Sequence, residues 1–280
     1  MTRCPLLPTI LDDDWSHAKK EATLANGLRL RYVELGTGAE TLLLLHGFTS
    51  SSRTWSLVAP LLAKRYRLLL PDMRGHGDSE RPLTGYDIPQ LAHDAVAFLD
   101  AVGVAQAHLI GVSLGSFVAQ QAAVGYPERF PTLVLVASGT AQSPSAGREW
   151  LQQQIAQLTD PIDPQFLAEW MDNPNSVDQV LHEKVGAEVA AIPKHVWQGV
   201  GNTILTHDPR PFLSTLTMPT SIIWGTLDPF FSLEEQEALQ ALIPNNVFKA
   251  YPGIGHNLHW EQPELLAEDI EFFLHNHTIL

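Results

Sequence analysis

Short apolar runs recur along the chain, and stretches of helical periodicity separate them. The runs are nearly continuous in leucine, isoleucine and valine, which is typical of strands buried on both faces of a parallel sheet. They lie at residues 42–45, 68–70, 108–110, 133–136 and 221–224. Between the second and third runs, Ile88, Leu91 and Ala95 belong to an amphipathic helical pattern. The alternation predicts an α/β fold with a doubly wound, mostly parallel sheet.

A hairpin signal precedes the first of these runs. Asn26-Gly27 stands between residues 23–25 and 28–33. An Asn-Gly pair between two such segments favours the tight turn of an antiparallel β-hairpin. Residues 1–20, which come before the hairpin, are expected to form an N-terminal arm.

The strand pattern stops between residues 141 and 217. This stretch carries tryptophans, leucines and many polar residues, and several prolines interrupt it. We expect four or five short helices, inserted as a cap, or lid, into a core made of residues 21–140 and 218–280. Ligands of doubly wound sheets bind at the carboxyl ends of the strands, where such a cap would lie. A helical decoration with no role in binding is the alternative.

The composition excludes several classes of partner. The chain has 17 basic and 31 acidic residues and no basic cluster, so neither nucleic acid nor an anionic membrane is an expected partner. No apolar run approaches the roughly 20 residues that a membrane span needs. Cys4 is the single cysteine, which rules out a disulfide within the chain. The N-terminus does not resemble a signal peptide, and we expect a soluble, cytoplasmic protein of undetermined oligomeric state.

Residues 111–115 read Gly-Val-Ser-Leu-Gly and stand between the apolar run 108–110 and a helix-like stretch, 116–123. A serine in this pentapeptide, between a strand and a helix, is held on a strained turn with its hydroxyl exposed at the top of the sheet. An ordinary turn serine is the alternative. Because a serine hydroxyl is a poor nucleophile until a base takes its proton, a histidine and a carboxylate are expected at other strand ends.

Suitable partners occur later in the chain. Asp228 follows the run 221–224 by a tight turn, and His256 follows residues 247–251 through a glycine-rich loop. The order serine, acid, histidine is that of hydrolases with this architecture. A helix cap is the alternative role for Asp228, because Pro229 and Ser232 follow it.

Taken together, these motifs resemble those of the α/β-hydrolase superfamily, specifically serine hydrolases with a helical cap domain. The resemblance covers residue 21 to the C-terminus and includes, besides the pentapeptide, residues 45–48, 71–79, 224–229 and 255–261. It implies that Ser113 is the nucleophile, His256 the base and Asp228 the orienting acid. It also implies an oxyanion hole formed by the backbone N–H groups of Phe48 and Leu114, and it implies neither cofactor nor metal.

Other polar residues in these motifs are expected to be structural. His259 is interpreted as structural or pocket-lining, since no third residue has the spacing of a zinc ligand. His46 and His76 are expected to shape loops. Asp72 and Arg74 are expected to form a structural pair.

Large apolar side chains of the predicted cap and of two neighbouring loops are expected to form a pocket over Ser113. The alternative for the tryptophans is that they only hold the cap helices together. The candidates are Trp150, Trp170, Trp197, Phe230, Phe231 and Leu258.

The predicted nucleophile narrows the chemistry. Dehalogenases and epoxide hydrolases of the superfamily have an aspartate there, so Ser113 favours acyl chemistry on a small-molecule ester or lactone. The superfamily's carbon–carbon bond hydrolases usually have a tryptophan after the histidine, whereas this chain has Asn257, which weighs against them. Arg148 and Arg210 in the predicted cap keep a carboxylate-bearing substrate possible. We expect a carboxylic ester hydrolase for small to medium apolar substrates. A lactonase, a carbon–carbon bond hydrolase, a cofactor-free perhydrolase and a ligand receptor are the alternatives.

Overall fold

A computed structural model describes residues 14–140 and 145–277, and within them eight strands form one sheet. The strands are β1 (Lys20–Thr23), β2 (Arg29–Leu35), β3 (Thr41–Leu45), β4 (Arg67–Pro71), β5 (His108–Val112), β6 (Leu133–Val136), β7 (Thr220–Gly225) and β8 (Asn246–Tyr251). Their order is β1-β2-β4-β3-β5-β6-β7-β8. The strands from β4 to β8 in this order are parallel, and β1 and β2 are antiparallel to their neighbours. The prediction of a doubly wound, mostly parallel sheet is confirmed.

Helices cover both faces of the sheet. They are α1 (Asp14–His17), α2 (Ala59–Leu62), α3 (Ile88–Ala101), α4 (Leu114–Gly125), α5 (Ala146–Gln157), α6 (Pro164–Trp170), α7 (Gln179–Ala190), α8 (Lys194–Thr206), α9 (Arg210–Leu213), α10 (Leu233–Leu242), α11 (Leu258–Glu261) and α12 (Pro263–His277). Short 3-10 turns span Ser52–Trp55 and Pro127–Arg129. Among the described residues, none of the helices combines the length and the apolar character needed to cross a membrane.

The apolar runs form strands because each run has a buried position on both faces. In β3, Leu43 and Leu45 pack into the cluster that contains α3 and α4, whereas Leu42 and Leu44 pack into the cluster that contains α2 and α12. All four side chains are fully buried. An alternating polar pattern would instead have left one face in water.

The predicted hairpin is present. β1 and β2 pair antiparallel, and the turn between them places Gly27 at a φ of +86°, in the left-handed region that glycine adopts without strain. The side chain of Asn26 accepts a hydrogen bond from the N–H of Leu28 at 3.0 Å. The turn therefore uses both residues of the Asn-Gly pair.

The helices α5 to α9 lie between β6 and β7, where the strand pattern of the sequence stops. They pack on the same apolar cluster as α3 and α4. Glu188 of α7 fastens them to the core, because it accepts hydrogen bonds from Nε of Arg53 at 2.6 Å and from Oγ of Ser51 at 2.5 Å. Of the predicted inserted segment, residues 141–144 lie outside the described residues, as do residues 1–13 of the predicted arm.

The expected pair between Asp72 and Arg74 is wrong. Arg74 makes a bidentate contact with Asp94 of α3, with N–O distances of 2.6 and 3.0 Å. Asp72 is fully buried and accepts from Nζ of Lys19 at 2.7 Å and from the N–H of Ser52 at 2.8 Å. Each of the two side chains therefore has its ionic partner elsewhere in the chain.

Candidate active site

The turn between β5 and α4 holds Ser113 in a strained backbone conformation. Its φ is +52° and its ψ is −119°, a combination that a serine rarely adopts. A Cβ atom on Gly111 would lie 2.2 Å from the carbonyl oxygen of Gly115, and one on Gly115 would lie 2.4 Å from that of Leu45. Both positions therefore require glycine, and the strand and helix approach each other as the pentapeptide predicts.

A buried hydrogen-bond network supports this turn from behind. The hydroxyl of Ser116 donates to the carbonyl oxygen of Ser113 at 2.6 Å and lies 2.8 Å from the hydroxyl of Ser138. Nε2 of Gln120 donates to the same Ser138 hydroxyl at 2.9 Å. The network ties the first turns of α4 to the end of β6, and the sequence analysis does not identify it.

His256 and Asp228 come together at the ends of β8 and β7. Nδ1 of His256 lies 2.8 Å from Oδ2 of Asp228, whose side chain is fully buried. The other oxygen, Oδ1, accepts from the N–H groups of Phe230 at 2.8 Å and Phe231 at 3.2 Å. The helix-cap alternative does not hold, because Ser232 caps α10.

This contact determines which nitrogen of His256 carries the proton. An ionised carboxylate only accepts hydrogen bonds, so Nδ1 is the donor to Asp228. Nε2 is then the nitrogen that can accept a proton. His256 and Ser113 line the same cavity, so that nitrogen and the serine hydroxyl belong to one site.

Glu261 connects the histidine loop to the segment between α6 and α7. Its carboxylate accepts from the N–H of Gly255 at 3.1 and 3.2 Å, from Nδ2 of Asn173 at 2.9 Å and from Nδ2 of Asn175 at 2.6 Å. Asn257 adds a further contact, from its Nδ2 to Oδ1 of Asn173 at 3.1 Å. The residues on both sides of His256 are thus held by hydrogen bonds that sequence reasoning missed.

The loop after β3 passes beside Ser113. A Cβ atom on Gly47 would lie 3.5 Å from Cβ of Ser113. Nε2 of His46 accepts from the N–H of Met73 at 2.9 Å, so its Nδ1 donates to the carbonyl oxygen of Gly47 at 2.7 Å. Burial lowers the pKa of His46 to about 4, which keeps the ring neutral at pH 7. The histidine shapes this loop, as expected.

The two predicted oxyanion-hole residues lie on the elements that flank Ser113. Leu114 is the first residue of α4, where a backbone N–H has no partner within the helix. Phe48 follows Gly47 directly and lines the cavity. Donation from these two N–H groups stays a prediction.

The cavity that contains Ser113 and His256 has a volume of about 100 Å³. Two of the predicted pocket residues, Trp170 and Phe230, line it. Trp170 also donates from Nε1 to Oγ1 of Thr49 at 2.8 Å, which joins α6 to the loop after β3. Lining residues that the sequence did not indicate as pocket residues include Ser50, Thr54, Met171, Asp172, Val185 and Val189.

Four of the predicted pocket residues lie outside the cavity lining, which corrects the predicted pocket. Trp150 stacks on Trp170 with ring centroids 6.2 Å apart, and Trp197 packs edge-on against the same ring at 5.3 Å. Phe231 and Leu258 are buried in the core. Large apolar side chains gain most when they are fully removed from water, so these residues pack among other side chains behind the lining.

The cavity wall lacks the positive charge that Arg148 and Arg210 of the helical segment could have supplied. Neither Arg148 nor Arg210 lines the cavity. Arg210 binds the carboxylate of Asp208 through two contacts of 2.8 Å. Among the described lining residues, Asp172 supplies a carboxylate and no lysine or arginine is present. The same described ranges contain no group of three His, Cys, Asp or Glu side chains that could hold a metal ion.

Comparison with known proteins places these features in a family. A sequence model of the alpha/beta hydrolase family matches residues 42–269. A 2-hydroxy-6-oxononadienedioate/2-hydroxy-6-oxononatrienedioate hydrolase from Paraburkholderia phymatum is 29% identical over 264 residues, which cover 88% of this chain and 91% of that protein. The dihydrolipoyllysine-residue acetyltransferase component of the acetoin cleaving system of Cupriavidus necator is 28% identical over 257 residues, with coverage of 90% and 67%. A solved hydrolase from Pseudomonas aeruginosa PA01 has a TM-score of 0.82 at 25% identity and covers 91% of this chain and 98% of its own.

Proposed function

The chain belongs to the α/β-hydrolase family, and we propose that it hydrolyses carboxylic esters of small to medium apolar substrates through an acyl-enzyme on Ser113. One observation carries the proposal. The strained serine shares a cavity with His256, whose Nδ1 is fixed by a buried carboxylate at 2.8 Å. This is the arrangement that converts a serine hydroxyl into a nucleophile.

In the acylation step, Oγ of Ser113 attacks the carbonyl carbon of the ester. Nε2 of His256 takes the hydroxyl proton, and Asp228 stabilises the resulting imidazolium and keeps the ring oriented. The negative charge that develops on the carbonyl oxygen is stabilised by the N–H groups of Phe48 and Leu114. The bond from carbon to the alcohol oxygen then breaks, and the alcohol leaves with the proton that His256 held.

Deacylation repeats the sequence with water. Nε2 of His256 removes a proton from the water molecule while its oxygen attacks the acyl carbon. When the tetrahedral intermediate collapses, Oγ of Ser113 leaves and recovers its proton from His256. The products are the free acid and the original enzyme, so the cycle consumes only ester and water.

The helices between β6 and β7 act as the cap of this site. The segment from Trp170 to Pro174 and the α7 residues Val185 and Val189 line the cavity, which supports a role in substrate selection. In this proposal the cap comprises residues 141–217 and the core comprises residues 21–140 and 218–280. A cavity of about 100 Å³ favours a small acyl or alcohol group beside Ser113.

Lactones are the nearest alternative substrates, because the same chemistry opens a cyclic ester. The Paraburkholderia relative acts on a dioate, which carries two carboxylates. In this chain the described cavity lining offers Asp172 and no arginine or lysine, which favours an uncharged ester or lactone. Rapid turnover of simple esters would also exclude a receptor that hydrolyses its ligand slowly.

The test joins chemical labelling to a substrate panel. A fluorophosphonate should modify Ser113 alone, as read by peptide mass spectrometry, and Ser113→Ala should lose both the label and the hydrolysis of short-chain esters and lactones. Ser145→Ala, at the N-cap of α5 and outside the cavity lining, is the matched control and should keep both. Labelling at a different serine, or full activity of Ser113→Ala, would overturn the assignment.

A further inference from the structure

The loop that carries His256 is attached to the core at its beginning. The N–H of Leu227 donates to the carbonyl oxygen of Ile254 at 2.8 Å, and the N–H of Gly253 donates to Oγ1 of Thr226 at 2.9 Å. Both bonds reach the turn that follows β7. They fix the loop where it leaves β8, before the histidine, and the remainder of the loop has a different set of partners.

Residues 173–175, which lie between α6 and α7 and which we call the clamp, hold this remainder together with Glu261. The two carboxylate oxygens of Glu261 accept from the N–H of Gly255 at 3.1 and 3.2 Å. The same carboxylate accepts from Nδ2 of Asn173 at 2.9 Å and from Nδ2 of Asn175 at 2.6 Å. A carboxylate offers acceptors and each of these groups is a donor, so one side chain joins the residue before the histidine to the inserted helical segment.

The clamp also contacts the loop directly, on both sides of the histidine. Nδ2 of Asn175 donates to the carbonyl oxygen of Gly253, ahead of the histidine, at 2.8 Å. Nδ2 of Asn257, the residue directly after the histidine, donates to Oδ1 of Asn173 at 3.1 Å. The loop is therefore bound to the clamp at both of its ends.

Close packing adds to these hydrogen bonds. A Cβ atom on Gly255 would lie 2.5 Å from Cγ of Pro174, so the backbone before the histidine passes directly against the clamp. Asn173 and Pro174 line the cavity together with His256. The clamp is thus both a wall of the cavity and a support of the loop that carries the base.

Resting on the proposed function, we propose that the clamp and Glu261 set the position of the His256 ring, so that the cap aligns the catalytic base of the core. Glu261 does not line the cavity, which makes it a positioning residue that acts through Gly255. Because its carboxylate joins the cap to the histidine loop, a displacement of the cap is transmitted to the base. A displacement of about 1 Å in a catalytic group can cost about 10²-fold in rate. The cap thus contributes to the rate of the chemical step as well as to the choice of substrate.

Three variants weaken the clamp to different degrees. Glu261→Ala removes the shared acceptor, and kcat for a short-chain ester should fall about 10²-fold. Glu261→Gln keeps one acceptor oxygen for the N–H of Gly255, and Asn175→Ala removes the donor to Glu261 and to the carbonyl of Gly253. In each of these two variants kcat should fall only about threefold to tenfold, the net effect of one hydrogen bond. KM should stay within about twofold of the wild type, since neither Glu261 nor Asn175 lines the cavity.

Two exposed residues provide matched controls. Asn202 lies in the cap helix α8, and Glu264 lies in the first turn of α12, close to Glu261 in the chain. Neither lines the cavity, so Asn202→Ala and Glu264→Gln should keep the kcat of the wild type. Rates are expressed per folded molecule, with the folded fraction taken from urea unfolding curves, so a loss of stability alone leaves kcat unchanged. A higher KM at an unchanged kcat would assign the clamp to substrate binding and would overturn the positioning role.

Amide hydrogen exchange, measured by NMR, tests the clamp without any turnover. In Asn175→Ala the N–H of Gly255 keeps its acceptor on Glu261, so faster exchange there reports a loop that the clamp no longer holds. We expect this exchange to be about threefold to tenfold faster than in the wild type, and unchanged in Asn202→Ala.

The two measurements separate this proposal from the proposed function. A wild type that hydrolyses no ester, with faster exchange at Gly255 in Asn175→Ala, overturns the function and supports the clamp. Hydrolysis in which Asn175→Ala and Glu261→Gln both keep kcat within twofold of the wild type overturns the clamp alone. Equal exchange at Gly255 in the wild type and in Asn175→Ala overturns it as well.

Discussion

At the residue scale, Asp228 divides its two carboxylate oxygens between different partners. Oδ1 accepts two backbone N–H groups, from Phe230 and Phe231, and Oδ2 accepts from Nδ1 of His256. The first pair of bonds orients the carboxylate, and the second orients the imidazole. An asparagine amide has only one acceptor oxygen, and its other end is an NH₂ donor. Its oxygen can accept from the backbone N–H groups or from Nδ1 of His256, and in either case its NH₂ group faces the other donor.

Asp228→Asn is therefore expected to lower kcat strongly while the protein stays folded. The backbone N–H groups select the amide oxygen, so the NH₂ group faces His256 and favours the tautomer with its proton on Nε2. The equivalent change in a serine protease triad lowers kcat by about 10⁴-fold. Steady-state kinetics with a short-chain ester, alongside circular dichroism, measures both effects. A folded variant with kcat within threefold of wild type would mean that Asp228 does not orient the base.

The sequence identifies some site residues and misses others for a physical reason. Ser113 is identified because its turn needs glycine on either side, and that requirement is local. Glu261 lies in a motif, but its partners Asn173 and Asn175 are 88 and 86 residues earlier in the chain. Nothing local indicates that such distant residues meet, so networks of this kind become visible only in the folded protein.

At the scale of elements, the strands were predictable and the positions of the inserted helices were not. A strand buried on both faces needs an unbroken apolar run, and β3 to β7 each contain one. The helices α5 to α7 begin at the capping side chains of Ser145, Asp163 and Asp178, which are common residues with many other uses. Which faces of these helices meet the cavity depends on tertiary packing, which the sequence pattern does not show. For this reason the sequence predicts Trp150 and Trp197 as pocket residues, although neither lines the cavity.

The tryptophans of the inserted helices should separate into two classes by substitution. Trp170 lines the cavity, so Trp170→Ala should enlarge it and shift the preference among acyl chains towards longer ones. Trp197 is fully buried behind the lining, so Trp197→Ala should cost about 3–5 kcal/mol of unfolding free energy. Rates for acetate to octanoate esters, together with urea unfolding curves, give both quantities.

Trp150→Ala is the control for this comparison. Trp150 stacks on Trp170 without lining the cavity, so its loss should lower every rate by a similar factor. If Trp170→Ala changes the rates for all ester chain lengths by the same factor, Trp170 does not select the substrate.

At the scale of the whole molecule, buried histidines couple folding to pH. Burial lowers the pKa of His46 to about 4 and the pKa values of His76 and His259 to about 3, and it also lowers the pKa of His108 and of His207. Each ring is held neutral in the folded protein, whereas in the unfolded chain it takes up a proton near pH 6.5. Between the pKa of each ring in the folded protein and its unfolded value near 6.5, the unfolded state therefore binds more protons than the folded state. The free energy of unfolding rises with pH across this range.

Acid should consequently destabilise the protein well above the pH at which its carboxylates are protonated. The contribution of each ring is complete above pH 6.5 and declines by about 1.4 kcal/mol per pH unit below it, so at pH 5 His46, His76 and His259 together remove about 6 kcal/mol. Typical domains have an unfolding free energy of only about 5–15 kcal/mol, and urea unfolding at pH 7.5 and pH 5 should show the loss directly.

Carboxylates with lowered pKa values, such as Glu34 and Glu80, affect stability only below this pH range. His259→Gln should reduce the difference between the two pH values by about 2 kcal/mol. Equal unfolding free energies at both pH values would show that these rings are not held neutral by the fold.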